Sequence, residues 1–140
     1  MPLSRNKEHY VIMTVIYNEL DDFLYGEGKT KRDASELIEE VSGLPIDEVS
    51  NYVKDTVYTS LQKYGEIVNA FIPNLNNWKW DRLPALSRAI LLMSYTHYFY
   101  TEPNVDKRIV INIAFYLAKE YFEEKQAKFV NGLLDKVLNR

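Results

Sequence analysis

The stretch Lys128 to Val137, KFVNGLLDKV, constrains the fold more than any other in the chain. Phe129, Val130, Leu133, Leu134, Val137 and Leu138 recur at intervals of three and four residues, which is one face of an amphipathic helix. Asn131-Gly132 inside it is a turn signal in most contexts. The apolar register is the same on both sides of the pair, so the spacing predicts a helix that runs through. Such a helix accepts a glycine cost of roughly 1 kcal/mol relative to alanine. A glycine there predicts the close approach of another backbone, and the Asn131 amide predicts polar partners. The segment reads as a tightly packed last helix.

The same period governs the rest of the chain. Ser4 is a plausible N-cap for a first helix to about Tyr25, with Ile12, Ile16, Leu20 and Phe23 as its stripe and Met13, Tyr17 and Leu24 widening it. Gly26 and Gly28 end it. A short second helix starts between Thr30 and Asp33, carries Ala34, Leu37, Ile38 and Val41, and stops at Gly43 with Pro45 beyond. A third follows Pro45 through Val49, Tyr52, Val53, Val57, Leu61 and Tyr64, breaks at Gly65, and resumes with Ile67, Val68 and Phe71. The PNLNNWKW stretch, from Pro73 to Trp80, is the clearest loop and the expected boundary between helical subdomains of about 1–73 and 78–140. Its tryptophans, Trp78 and Trp80, are read as anchors of the next helix to the core rather than as exposed stacking platforms.

Pro84 suits the first turn of a fifth helix, which carries Ile90, Leu91, Leu92, Met93 and Tyr95 toward Phe99. After Pro103, Asn104 or Asp106 caps a helix with Ile109, Val110, Ile113, Ala114, Leu117 and Tyr121 inward. No segment keeps a period of two, and no hairpin turn joins two β-branched runs. The expectation is a single all-α domain of six or seven helices over residues 1–140.

The chain has no cysteine, which excludes disulfides, thiolate chemistry and cysteine-bound zinc. No apolar run reaches membrane-spanning length and no signal peptide opens the sequence, so a cytoplasmic protein is expected. The acidic cluster Glu36, Glu39 and Glu40 is most simply the wet side of the second helix, and no metal is expected there. There is no phosphate loop, HExxH pair or dinucleotide fingerprint. No sequence context marks a nucleophile, and His97 within Tyr95–Tyr100 reads as a packed histidine rather than a base. The residues therefore point away from an enzyme, and no cofactor is implied.

Net charge is −3, but it is unevenly spread: residues 1–70 carry 7 basic and 13 acidic side chains, residues 71–140 carry 10 and 7. A polyanion should meet the C-terminal half first. The competing reading is that mixed charge only solvates helix surfaces.

Four segments in order carry a resemblance: Trp80-Asp81-Arg82-Leu83-Pro84; Ser87 to Tyr95, SRAILLMSY; Val110 to Ala114 with Leu117-Ala118-Lys119; and Lys128 to Lys136. Together they resemble the NusB family of transcription antitermination proteins over about residues 78–138. Upstream only the helix pattern matches, with Ile16-Tyr17 where the family often has Leu-Tyr. The resemblance implies a compact pair of small helical bundles and a factor that is not an enzyme. It implies binding of boxA-type single-stranded RNA with the ribosomal protein NusE as partner, acting indirectly on RNA polymerase in bacteria. Some members self-associate, so a homodimer is a further expectation.

Carried over to this chain, the first-helix RNA contacts would be Arg5, Lys7 and His9, and a second patch would be Lys125, Lys128 and Phe129. An aromatic beside two lysines can stack a base while the cations meet phosphate. The partner surface would be the exposed side of the fifth helix around Ser87, Arg88 and Tyr95. Three departures stand out. The family's arginine-rich opening is reduced to Arg5-Asn6-Lys7-Glu8-His9, and each lost phosphate contact weakens counterion release. Ile113 replaces a usual glutamate, and Thr96 follows Tyr95 where glutamate is common. They motivate a second reading, a protein-interaction or self-associating module that has lost RNA binding.

Overall fold

The computed structural model describes residues 3–25 and 33–140, with side chains described outside 21–32. Seven α-helices follow in order among these residues: α1 Arg5–Tyr25, α2 Ala34–Ser42, α3 Asn51–Gln62, α4 Tyr64–Phe71, α5 Ala85–Thr96, α6 Lys107–Tyr121 and α7 Glu124–Val137. The described residues contain no strand. No helix among them is long and apolar enough to cross a membrane.

Local chemistry sets most boundaries. The Ser4 hydroxyl accepts from the Lys7 N–H at 3.2 Å, which satisfies one orphan donor at the start of α1. Asp33 caps α2 through the Ser35 N–H, and Gly43 closes it at φ 74°, a left-handed position that suits glycine. Ser50 caps α3. Residues Ile46–Glu48 form only a 3-10 turn, so the third helix begins later than Pro45 suggests. The break between α3 and α4 falls at Lys63, whose φ of −97° and ψ of 18° leave the helix, and Gly65 lies inside α4. Gly26, Gly28 and Thr30 lie outside the described residues, as do the side chains of Phe23 and Leu24.

α5 is the axis of the molecule. It packs against α1, α3, α4, α6 and α7. Every residue from Ser87 to Ser94 is buried, as a helix enclosed on all sides requires. Two of its polar side chains are satisfied inside: Ser94 Oγ donates to the Ile90 carbonyl at 2.7 Å, and Ser60 Oγ bonds Thr96 Oγ1 at 2.7 Å. The helix then widens into a π turn over His97–Thr101, closed by the Glu102 N–H on the His97 carbonyl at 3.0 Å.

α6 and α7 pack side by side, and charge and polar contacts fix their ends. Asp106 caps α6. Lys107 Nζ meets Asp135 Oδ1 at 3.0 Å, and Arg140 donates to the Val105 and Tyr98 carbonyls. α6 buries Val110, Ala114, Leu117 and Ala118. Ile109 and Tyr121, expected inward, are instead 53% and 47% exposed: the buried face begins one residue past Ile109, at Val110, and ends at Ala118, before Tyr121.

α7 runs unbroken through Asn131-Gly132, as its apolar register requires. The expected close backbone approach at Gly132 is absent: a methyl group there would meet nothing within 4 Å. The Asn131 side-chain amide oxygen Oδ1 is buried without a hydrogen-bond partner among the described residues.

Candidate nucleic-acid interface

The first turn of α1 holds Arg5, Lys7 and His9, and the fold treats each differently. The Arg5 guanidinium carbon lies over the Tyr52 ring, 3.5 Å from its centre. Its Nη2 donates to Glu102 Oε1 at 2.6 Å, and Glu8 lies 3.6 Å from its Nη1. Its charge is therefore largely neutralised at home. Lys7 is exposed, lies 4.9 Å from the Tyr10 ring centre, and forms no ion pair among the described residues. His9 is only 4% exposed and bonds the Tyr52 hydroxyl through Nε2 at 3.1 Å. Burial first, and then the Arg5 charge, lower its pKa to about 4, so it is neutral near pH 7 and supplies no cation.

His9 belongs to a partly buried polar chain. The Tyr52 hydroxyl also lies 3.3 Å from His97 Nδ1, and His97 Nε2 lies 2.5 Å from Glu102 Oε1. Desolvation lowers the His97 pKa although Glu102 pulls it the other way, and burial pushes the Tyr52 phenol up. The chain ties α1, α3 and the π turn together beneath Arg5.

The second patch lies where the loop before α5 meets the junction of α6 and α7. A cleft of about 730 Å³ opens there, lined by Trp78, Arg82, Leu83, Pro84, Tyr121, Phe122, Glu123, Lys125, Gln126 and Phe129. Gln126 donates from Nε2 to Ser87 Oγ at 3.1 Å, which pins the first turn of α7 to α5. Lys125 is exposed and Phe129 half-buried on this wall, packed against the core but open to the cleft. Lys128, one helical turn from Glu124, is exposed and holds that carboxylate at 3.5 Å, a contact worth little in water. Trp78 is 61% exposed, whereas Trp80 is 5% exposed, stacked on Phe71 at 5.8 Å and donating from Nε1 to the Tyr64 hydroxyl at 3.0 Å. The anchor reading describes Trp80 and not Trp78. Lys79 between them is extended, at φ −91° and ψ 140°, so the two rings leave the chain on opposite sides.

The fifth helix has no exposed side at Ser87 and Arg88. Ser87 is 0% and Arg88 4% exposed. Arg88 Nε donates to the Leu83 carbonyl at 3.1 Å, which closes the turn entering the helix, and its Nη1 is buried without a hydrogen-bond partner among the described residues. Tyr95 is half-buried between Phe71 at 6.0 Å and Phe99 at 4.5 Å. Sequence reasoning passed over Arg82 and Tyr121, and the structure adds them to the cleft beside Lys125 and Phe129. The Pro- and Asn-rich loop was the signal that pointed to Trp78.

Comparison with known proteins agrees with this architecture. The transcription antitermination protein NusB of Clostridium botulinum is 29% identical over 145 residues, spanning 97% of this chain and all of that protein. The protein of the same name from Listeria welshimeri is 32% identical over 98 residues, covering 70% of this chain and 76% of its own length. The solved structure of T. maritima NusB superposes with a TM-score of 0.77 at 20% identity, over 99% of this chain and 92% of that one. The NusB family profile matches residues 13–139. The chain belongs to the NusB family.

Proposed function

We propose that this protein is a transcription antitermination factor that binds boxA-type single-stranded RNA together with the ribosomal protein NusE, and acts on RNA polymerase through that complex. The observation that carries the reading is the cleft itself, where Lys125 and the open face of Phe129 stand beside further aromatics. An aromatic face with cations around it holds an unpaired base and its phosphate without reading a groove. Lys128 adds charge one helical step away, and Lys7 supplies a free cation from α1. Arg5 contributes only when phosphate competes with Glu102 for it. His9 acts as a support for Tyr52 beneath Arg5 rather than as a contact. The NusE surface is assigned to faces other than Ser87 and Arg88, which are closed, with Tyr95 at most at its edge.

The test is a charge reversal in a folded protein. Lys125→Glu and Lys128→Glu should each weaken binding of a short boxA-like RNA and reduce the slope of log affinity against log salt by about 1. Unchanged affinity in both variants overturns the reading.

One observation favours the second reading, a self-associating or protein-interaction module without RNA binding. Ile109 and Tyr116 stand 53% and 57% exposed on α6, with half-buried Ile113 between them. Light scattering of the protein, alone and with Ile109→Lys, distinguishes the two. A dimer abolished by the variant, with no RNA bound, supports the module.

A further inference from the structure

We propose that Trp78 is a base-stacking platform and Arg82 its neighbouring phosphate contact, so that the cleft holds a second nucleotide of the strand that meets Phe129. The inference rests on the RNA-binding reading above and extends its site to the opposite wall. Trp78 presents a large aromatic surface to solvent from a loop that is held in place. Its backbone N–H donates to the Leu75 carbonyl at 3.0 Å, and Asn76 turns the chain at φ 57°, a left-handed position that asparagine tolerates. Trp80, two residues on, fastens the loop to Phe71 and Tyr64. A tryptophan exposed at 61% on a fixed loop needs no ordering before a base stacks on it.

The surroundings fit a nucleotide. Arg82 and Lys125 stand on opposite walls, both exposed and neither in an ion pair among the described residues. Glu123 is the single carboxylate in the lining, so the cleft is net positive. Tyr121, 47% exposed, and Phe122 bring the aromatics in the lining to four. Guanidinium and ammonium groups around aromatic faces suit a polyanion whose bases are unpaired. At about 730 Å³ the space is within the range of roughly 300–1,000 Å³ typical of clefts that enclose small organic groups.

The two tryptophans make the test selective, because Trp80 is buried and Trp78 is not. The unaltered protein, with NusE present, is titrated with a fluorescein-labelled boxA-like single-stranded RNA. Anisotropy of the label and protection of tryptophan emission from acrylamide are followed together. RNA should shield Trp78 in the unaltered protein and leave the emission of Trp78→Phe, which reports Trp80 alone, unchanged. Trp78→Ala should bind about 5- to 150-fold more weakly, and Trp78→Phe should retain more affinity, with the denaturation midpoint of both unchanged. RNA that binds Trp78→Ala as tightly as the unaltered protein, with no shielding of Trp78, overturns this inference and leaves the RNA-binding reading standing. No binding to the unaltered protein, even at low salt with NusE, overturns both.

Discussion

The Tyr52 hydroxyl sits 3.1 Å from His9 Nε2, joining the first helix to the third at a partly buried site. With His97 Nδ1 at 3.3 Å on its other side and Glu102 beyond, the protons can be placed in one way if Glu102 is ionised and His97 neutral. His97 gives its Nε2 proton to the carboxylate, Tyr52 gives its own to His97 Nδ1, and His9 Nε2–H donates to the Tyr52 oxygen. Each hydrogen bond between these four side chains then has one donor and one acceptor. The same carboxylate oxygen holds Arg5, so His97 and the first-helix cation share one partner.

Both histidines should be neutral Nε2–H tautomers at pH 7, read by nitrogen chemical shifts of the imidazoles. Their folded pKa values lie below the ordinary histidine value, with His9 at about 4. The unfolded chain therefore takes up protons first as pH falls, and stability that is complete above about pH 6.5 is lost toward pH 4. Tyr52→Phe, which cuts the chain, should lower the melting temperature at pH 7. A His9 that titrates near 6.5 contradicts this arrangement.

Glu102→Gln should raise RNA affinity. It removes the carboxylate 2.6 Å from Arg5 and frees a cation beside Lys7. Anisotropy at several salt concentrations should show tighter binding and a steeper salt slope. Weaker binding would mean that Glu102 is needed to hold Arg5 in a productive position.

Trp80→Ala should cost about 3–5 kcal/mol of unfolding free energy, as expected for a large buried aromatic that also loses a hydrogen bond. Trp78→Ala, on the outer side of the same loop, should stay within about 0.5 kcal/mol of the unaltered protein. Urea denaturation measures both. Equal losses would place both rings in the core.

Gly132→Ala should stabilise the protein by up to about 1 kcal/mol. The residue lies in mid-helix, and a methyl group there meets nothing within 4 Å. A loss of stability in urea would show a crowded site. A gain accompanied by weaker assembly with NusE would show that a partner needs the bare backbone.

Much of the fold was legible because apolar periodicity and caps act locally. Ser4, Asp33 and Asp106 each accept from a nearby N–H at a helix start, and Gly43 stops α2, whereas the Ser50 cap of α3 was missed because Val49 fits the apolar period of that helix. Periodicity is less exact at the edge of a buried stripe, where Ile109 and Tyr121 fell on the solvent side. The enclosure of α5 was not legible from Ser87 and Arg88, whose polarity suggests a wet face. Gln126 donates to Ser87 and the Leu83 carbonyl accepts from Arg88 Nε, so both are held inside although Arg88 Nη1 has no partner among the described residues. In the candidate site, Lys125 and Phe129 could be paired from their spacing on one helix. The opposite wall could not, because Arg82 and Trp78 reach it only through tertiary packing of the loop.

The most direct test of the account is the anisotropy of a short boxA-like RNA against this protein, with and without NusE, across a salt series. The account predicts binding that strengthens with NusE and weakens steadily as salt rises. No binding at low salt with NusE present would contradict it and leave a family member that works through protein contacts alone.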